Sequence, residues 1–239
     1  MPRFFVNAIE GEHALIHGED ARHITKSLRM RAGEHAVLCD GEGTDYHCEA
    51  VSFGETVVFR ILRREVSIAE PSVRLRLFQA LPKGDKLEWI VQKAVELGVS
   101  EIVPVLTKRC IARPEPDAME KRRARLSRVA LEAAKQSGRG RIPEIAPLIG
   151  FQEAVSMMCG ADLGILCYEA GGSPLRNLVT GTEQSIDVLI GSEGGFEPEE
   201  AAFAVEHGIK TATLGTRILR CETAPLAALS VVMHLTGNL

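Results

Sequence analysis

The chain has 239 residues, of which 45% are hydrophobic and 25% charged, and its formal net charge is −4. This composition excludes an intrinsically disordered chain, and no apolar run reaches the roughly 18 residues of a membrane span. The N-terminus lacks the apolar core and cleavage site of a signal peptide, so we expect a cytoplasmic protein without membrane association. The acidic net charge, taken alone, argues against a nucleic-acid partner.

Cysteine and histidine spacing gives no sign of a metal site. The six cysteines include no C-x-x-C pair, and none of the seven histidines lies at metal-ligand spacing from a cysteine or carboxylate. We therefore predict no bound metal and expect buried free thiols in a reducing compartment.

Residues 1–70 carry short β-prone stretches separated by turn formers. Residues 35–39 and 56–62 are predicted strands, with turns at 40–43 and 53–55. Short strands at this spacing predict a small β-barrel. Glu70-Pro71-Ser72 is the predicted linker between this barrel and the rest of the chain.

From residue 73 onwards, predicted strands and helices alternate. The predicted strands are 73–79, 102–105, 163–167, 186–190 and 211–214, and the predicted helices are 85–97, 117–137, 198–207 and one beginning near 223. The runs at 163–167 and 186–190 are continuously apolar, which is typical of buried parallel strands. Residues 73–239 are therefore predicted to form an α/β domain with a mostly parallel sheet.

Charge is distributed unevenly along the chain. Residues 1–70 carry a net charge of −4, residues 108–141 carry +7, and residues 142–239 carry −8. The apolar residues of the predicted helix at 117–137 form one stripe, so its arginines mostly lie on the outer face, and residues 136–141 form a predicted flexible cationic loop. Such a cluster favours RNA phosphates, the alternative being a merely solvated helix face.

Two predicted strands end in loops that carry candidate chemistry. Gly191-Ser192-Glu193-Gly194-Gly195-Phe196 places three glycines around one carboxylate, which lets the backbone approach a ligand closely. It matches neither a Walker loop nor a dinucleotide fingerprint, and a tight strand-to-helix turn is the alternative. The second loop, 214–224, carries two arginines and a glutamate, which could instead form an ion pair that shapes the loop. Both loops, with the segment after Cys167, leave the carboxyl ends of parallel strands, where α/β sheets bind ligands.

Five segments in order resemble one known family. Gly191–Phe196 resembles the Gly-Pro-Glu-Gly-Gly-Phe signature of the RsmE family, the 16S ribosomal RNA uridine-N3 methyltransferases, with Ser192 in place of proline. Residues 214–224 are similar to that family's Leu-Gly-x-Arg-Ile-Leu-Arg-x-Glu-Thr-Ala. Further similar segments are 83–86 with 92–99, 134–139 and 23–33.

The resemblance implies a fold, a cofactor and a substrate. The implied fold is a SPOUT-type, mostly parallel α/β sheet with a C-terminal trefoil knot in residues 73–239, preceded by a PUA-like β-barrel RNA-binding domain in residues 1–70. S-adenosylmethionine is the implied methyl donor and a homodimer the implied assembly. The implied substrate is one uridine of the 16S rRNA, in naked RNA or in the assembled small ribosomal subunit.

The resemblance and the loop positions together predict three sets of residues. Predicted catalytic residues are Arg220, which would stabilise a uracil oxyanion or bind phosphate, and Glu222 and Glu193, either of which would accept the N3 proton. Predicted cofactor-binding residues are Leu166, Tyr168, Glu169, Ile190, Gly191, Glu193, Gly194, Gly195, Leu214, Gly215, Ile218, Leu219 and Arg220. Predicted RNA-binding residues are Arg22, His23, Lys26, Arg29, Arg31, Arg109, Arg113, Lys135 and Arg139.

Two other functions are compatible with these sequence features. One is a non-catalytic RNA-binding or ribosome assembly factor that has lost donor binding. The other is a SPOUT methyltransferase that acts on another RNA, such as transfer RNA, or on a ribose hydroxyl. The intact glycine turns favour an enzyme.

Overall fold

A computed structural model describes all 239 residues and divides them into two compact units. The first unit comprises Met1–Glu70 and Ala134–Ile142, and the second comprises Pro71–Ala133 and Pro143–Leu239. The division expected from the sequence does not include residues 134–142 in the first unit.

The first unit is built on a curled six-stranded sheet with the strand order β1-β4-β5-β6-β3-β2. The strands are β1 Arg3–Phe5, β2 Ala8–Glu10, β3 His13–Ile16, β4 His35–Cys39, β5 Thr44–Ser52 and β6 Val57–Val66. Strands β1 and β4 pair in parallel and the other neighbours are antiparallel. The sheet surrounds a core that includes Phe4, Ile16, Leu38 and Phe59. The predicted β-rich N-terminal architecture is confirmed.

A short helical segment crosses from β3 to β4 in this unit. Helix α1, Gly18–Arg22, continues into a π-helix over His23–Leu28. The segment ends at Arg29, whose φ of 53° is the one positive value outside glycine. The sequence patterns do not predict this segment, because among its residues only Ala21 and Ile24 are buried and no extended apolar stripe marks it.

The second unit contains a sheet in which every pairing is parallel. Its order is β10-β8-β7-β13-β11-β14-β12, with β9 also paired to β8. The strands are β7 Arg74–Ala80, β8 Glu101–Leu106, β9 Glu144–Ile145, β10 Ile149–Gly150, β11 Leu163–Cys167, β12 Ser173–Pro174, β13 Ser185–Ile190 and β14 Lys210–Thr213. The predicted parallel α/β sheet is confirmed. Strands β9, β10 and β12 have only two residues each, which is too brief for an apolar pattern to reveal them.

Five helices accompany this sheet, and each carries buried apolar residues. They are α2 Lys86–Glu96, α3 Pro116–Ser137, α4 Phe151–Met158, α5 Pro198–Glu206 and α6 Ala224–Leu235, with a 3-10 turn at Leu175–Asn177. Phe78 of β7, Leu166 of β11 and Leu189 of β13 form one core cluster with Phe151 of α4. Helix α4, which the sequence analysis does not predict, covers this cluster.

The six cysteines are all free thiols. Five are buried as expected, but Cys159 is exposed, because it follows the last turn of α4. No helix combines the length and the apolar character needed to cross a membrane.

Candidate active site

A cavity of ≈ 470 Å³ lies in the second unit at the carboxyl ends of β11, β13 and β14. Strand β11 pairs with β13 on one side and with β14 on the other, so the loops after the three strands meet at one edge of the sheet. The parallel arrangement thereby brings together segments near residues 168, 192 and 217 that are far apart in sequence. A cavity at this edge is where α/β sheets bind small molecules.

Two glycines of the turn after β13 are packed too tightly to carry side chains. Gly195 has a φ of 66°, and a Cβ atom there would overlap the carboxylate of Glu169 from the β11 loop. A Cβ on Gly194 would lie 3.0 Å from the Cβ of Arg109. The glycines therefore let the Glu169 loop and Arg109 close directly onto the turn.

Arg109 braces this turn. Its guanidinium donates to the carbonyl oxygen of Gly194 at 2.9 Å and forms an ion pair with Glu197 at 3.0 Å. The hydrogen bond from Arg109 lowers the pKa of the Glu197 carboxyl. Glu197 also forms a capping box with Glu200 at the start of α5, so Arg109 ties the turn to the helix after it. Arg109 thus has a role within the fold, and its contact with RNA stays a prediction.

The loop after β14 offers unused hydrogen-bond donors to the cavity. The backbone N–H groups of residues 216–220 donate no hydrogen bond within the chain. Ile218 is 87% exposed although it borders the cavity. The loop therefore presents polar backbone and apolar side chains that a bound molecule could cover.

Two arginines of the same loop lack anionic partners. The side chains of Arg217 and Arg220 border the cavity and form no ion pair or hydrogen bond within the chain. An ion pair between Arg220 and Glu222, the alternative left open by the sequence, does not form. Both guanidinium groups are therefore available to an anionic ligand.

Glu222 contacts Lys86 instead. The ammonium group of Lys86 lies 3.3 Å from Glu222 Oε2 and 2.9 Å from Glu193 Oε1. Glu193 also accepts the backbone N–H of Lys83 at 3.1 Å. Although partial burial opposes it, these hydrogen bonds lower the pKa of Glu193 to about 2. The pKa of Glu222 is also lowered. Burial opposes this shift, but the carboxylate accepts hydrogen bonds from the Cys221 thiol and from Lys86.

All predicted cofactor-binding residues border the cavity except Leu166. Leu166 lies within β11 with its side chain in the core, because the cavity begins only one residue further along the strand. Glu222, a predicted catalytic residue, does not border the cavity and lies behind Lys86. Nine further residues border the cavity without having been predicted from the sequence, namely Lys86, Cys167, Ser192, Ala212, Thr213, Thr216, Arg217, Cys221 and Ala224. Most of them lie next to a recognised motif, and that position is the only sequence signal that could have identified them.

The predicted RNA-binding residues of the first unit divide into two classes. Those of the α1 segment and the turn after it are exposed, namely Arg22, His23, Lys26, Arg29 and Arg31. Lys135 instead forms an ion pair with Asp20 at 3.1 Å. Arg139 is only 3% exposed and bonds to Glu70 at 2.7 Å, while Glu70 also accepts the backbone N–H groups of 140 and 141. Arg139 is thus held against Glu70, while its contact with RNA and the flexibility of the loop stay predictions.

The basic stretch of the second unit is largely engaged as well. Arg113 is exposed, but its guanidinium donates to the carbonyl oxygens of Thr107 and Lys108. On α3, Arg122 donates to the Gly84 carbonyl oxygen, and two further arginines form ion pairs with nearby glutamates. Much of the local +7 charge is thus neutralised by contacts that the sequence does not reveal.

Comparison with known proteins then decides the family. Residues 69–233 match the RNA methyltransferase domain family, and residues 16–51 match the RNA methyltransferase PUA domain. The ribosomal RNA small subunit methyltransferase E of Bacillus subtilis is 32% identical over 99% of this chain and 97% of its own length. The chain belongs to the RsmE family.

Other members of the RsmE family extend this agreement. The Mycobacterium bovis protein of the same name is 30% identical over 98% of this chain and 92% of its own length. A crystal structure of the Neisseria gonorrhoeae enzyme bound to S-adenosylmethionine superposes with a TM-score of 0.86 at 32% identity and covers 98% of each chain. The match spans both units, so the predicted combination of a PUA-like unit with an α/β methyltransferase unit is confirmed.

Proposed function

We propose that this chain transfers a methyl group from S-adenosylmethionine to N3 of one uridine in 16S rRNA. The observation that carries the proposal is the cavity at the ends of β11, β13 and β14, bordered by the glycine turn and by two unpaired arginines, in a member of the RsmE family. The Neisseria gonorrhoeae relative binds the same methyl donor. We further propose that the chain acts in the cytoplasm as a homodimer, on naked RNA or on the assembled small subunit, and that its α/β unit is knotted.

The cavity fits S-adenosylmethionine by size and by chemistry. Its volume lies within the roughly 300–1,000 Å³ range of small-molecule sites. Ile190, Leu214 and Leu219 supply apolar surface for a purine ring, and the unbonded N–H groups of residues 216–220 supply donors. Glu169 and Glu193 place carboxylates beside a ligand that carries positive charge at sulfur and nitrogen.

The bound donor supplies a methyl group on a sulfonium centre, which is already electrophilic. The residues of the chain then have two tasks, to hold the uracil ring in line and to make its N3 nucleophilic. Good alignment alone removes a large part of such a barrier.

Arg220 is the residue best placed to assist loss of the N3 proton. Uracil N3 belongs to an imide, and its conjugate anion spreads negative charge onto the two carbonyl oxygens. An unpaired guanidinium beside the cavity stabilises that anion and so makes the proton easier to lose. Arg217 lies on the same loop and would bind a neighbouring phosphate or the second carbonyl oxygen.

The two predicted carboxylate bases are poorly suited to remove the proton. Glu193 has a pKa of about 2, and the pKa of Glu222 is also lowered. A carboxylate with a pKa as low as that of Glu193 is a weak proton acceptor, and Glu222 does not border the cavity. We therefore propose that the proton leaves to water while Arg220 stabilises the anion.

Methyl transfer from labelled donor tests the proposal. We expect tritium to enter 16S rRNA or isolated small subunits, and mass spectrometry of the digested RNA to find 3-methyluridine. Arg220→Ala should reduce kcat by about 10²–10³-fold with little change in the affinity for S-adenosylhomocysteine. Absence of label in both substrates would refute the enzyme, and a different methylated nucleoside would refute the N3 assignment.

A further inference from the structure

Lys86 is the first residue of α2 and one wall of the cavity. A positive charge at the N-terminus of a helix is unfavourable, because it opposes the positive end of the helix dipole. The side chain is also only 34% exposed, so it gives up part of its hydration. Helix stability therefore does not explain this lysine.

The contacts of Lys86 explain its placement. The ammonium group donates to Glu193 of the glycine turn at 2.9 Å and approaches Glu222 of the β14 loop at 3.3 Å. It also lies 3.7 Å from the thiol of Cys221. One cation thus joins two carboxylates that belong to two of the three loops at the cavity, those after β13 and β14.

We propose that Lys86 is a positioning residue that fixes the loop at 214–222 against the glycine turn at 191–195 and so shapes the S-adenosylmethionine site. The inference rests on the proposed function. It assigns to Lys86 no contact with the uracil ring and no part in proton transfer.

The electrostatics of this cluster make the connection specific. The two carboxylates share one ammonium, so without it two negative charges would face each other and separate the loops. The hydrogen bond to Glu193 raises the pKa of the Lys86 ammonium group, as expected for a cation between two carboxylates. The thiol of Cys221 stays protonated, because burial raises its pKa to about 12, and it donates to Glu222. The remaining charged or titratable groups around the cavity form no ion pair with Lys86, namely Cys167, Tyr168, Glu169, Arg217 and Arg220.

Calorimetric binding of S-adenosylhomocysteine to the full-length protein tests the proposal without measuring catalysis. Lys86→Met should weaken binding roughly tenfold at pH 7, in line with the loss of a charge-assisted network. Lys86→Arg should recover most of the affinity, since it retains the charge. Lys93→Met is the matched control, because Lys93 lies on the same helix and pairs with Glu96 at 2.8 Å but does not border the cavity; it should bind as the wild type.

The pH dependence separates positioning from a general loss of structure. In Lys86→Met the two carboxylates repel, so lowering the pH from about 7 to about 5 should protonate one of them and restore part of the affinity. The wild-type affinity should stay nearly constant over the same range. Hydrogen exchange in the variant should accelerate at the amides of Thr223 and Ala224, which donate to the Arg220 carbonyl oxygen, and at the amide of Lys83, which donates to Glu193. It should stay unchanged in β7 and β13.

Each result has one meaning. Equal affinity of Lys86→Met and wild type would overturn the inference while leaving the proposed function intact. A loss that does not vary with pH, accompanied by faster exchange throughout the unit, would also overturn it in favour of a structural role. Failure of the wild type itself to bind S-adenosylhomocysteine would refute the proposed function instead.

Discussion

Arg76 and Asp187 form a buried ion pair between the neighbouring strands β7 and β13, with Nη2 and Oδ2 2.6 Å apart. Arg76 Nε donates a second hydrogen bond to Asp187 Oδ1 at 2.8 Å. The guanidinium also donates to the Met157 carbonyl oxygen. The pair lies three residues before the end of β13, where the glycine turn begins. It therefore anchors the strand that presents the turn.

Replacing Asp187 should destabilise the protein strongly. Asp187→Asn removes the nearer of the two anions that face the buried Arg76 and leaves only Glu101, 3.6 Å away. Breaking a buried pair costs about 3–5 kcal/mol. We expect urea denaturation to show a loss of this size in the free energy of unfolding. The exposed Glu199→Gln should leave that free energy unchanged, since Glu199 is 73% exposed. A loss below about 1 kcal/mol in Asp187→Asn would show that the pair is unimportant for stability.

Gly195→Ala tests the close packing of the glycine turn. The substitution strains a backbone with a φ of 66° and drives a methyl group into the Glu169 carboxylate, so the turn must move. We expect loss of S-adenosylhomocysteine binding in calorimetry. Gly208→Ala has a similar backbone strain, at a φ of 86°, but faces open space. It should lower stability slightly and retain binding; equal binding by both variants would contradict the packing argument.

Arg139→Met should destabilise the first unit in a pH-dependent manner. Burial would raise the pKa of Glu70, but its hydrogen bonds with Arg139 and with two backbone N–H groups lower it below the ordinary value near 4.5. A carboxyl with a lowered pKa contributes stability above its unfolded pKa, and this contribution is lost as the pH falls through the folded pKa.

The stability difference between wild type and Arg139→Met should therefore be full at pH 7 and should shrink below pH 4.5. Thermal unfolding monitored across that range measures it. Arg31→Met, which removes an exposed arginine of the same unit, serves as the control and should show no such difference. A constant difference at all pH values would mean that Arg139 acts through packing alone.

The exposed basic residues of the α1 segment should act through phosphate contacts. Lys26→Ala and Arg31→Ala should each weaken RNA binding with little preference for sequence. Each should also reduce the slope of log affinity against log salt by about 0.7–0.9, as expected for one lost phosphate contact. Fluorescence anisotropy at several salt concentrations measures both effects. An unchanged slope would remove the residue from the RNA interface. Arg139 is buried and so presents no exposed guanidinium for a phosphate contact.

The linear motifs predict which segments line the cavity, but they do not predict which charged residues there pair with one another. Gly191–Gly195 and the loop at 214–222 are recognisable because glycine content and strand ends are local properties of the sequence. The partners of the charged residues are not local. Glu222 pairs with Lys86, 136 positions away by their numbers, rather than with nearby Arg220. A cation seen in sequence therefore cannot be assigned to RNA until its carboxylate neighbours are known.

Charge alone does not reveal the contacts of Arg109 and Arg139 for the same reason. Both belong to the stretch with a net charge of +7, and both prove to stabilise the protein itself, one on the glycine turn and one on Glu70. Arg22 and Lys26 stay exposed, because the short helical segment that carries them buries only Ala21 and Ile24, and Arg31 is exposed in the turn after it.

The sequence by itself determined the alternation of strands and helices, the parallel sheet and the two loops at its carboxyl edge, because apolar periodicity and glycine content act over a few residues. Only the tertiary structure decided which charges remain free. Pairing depends on which loops meet in space, and here the order of β13, β11 and β14 brings three loops together at one edge of the sheet. That contact leaves Arg217 and Arg220 unpaired while Lys86 holds the carboxylates of Glu193 and Glu222.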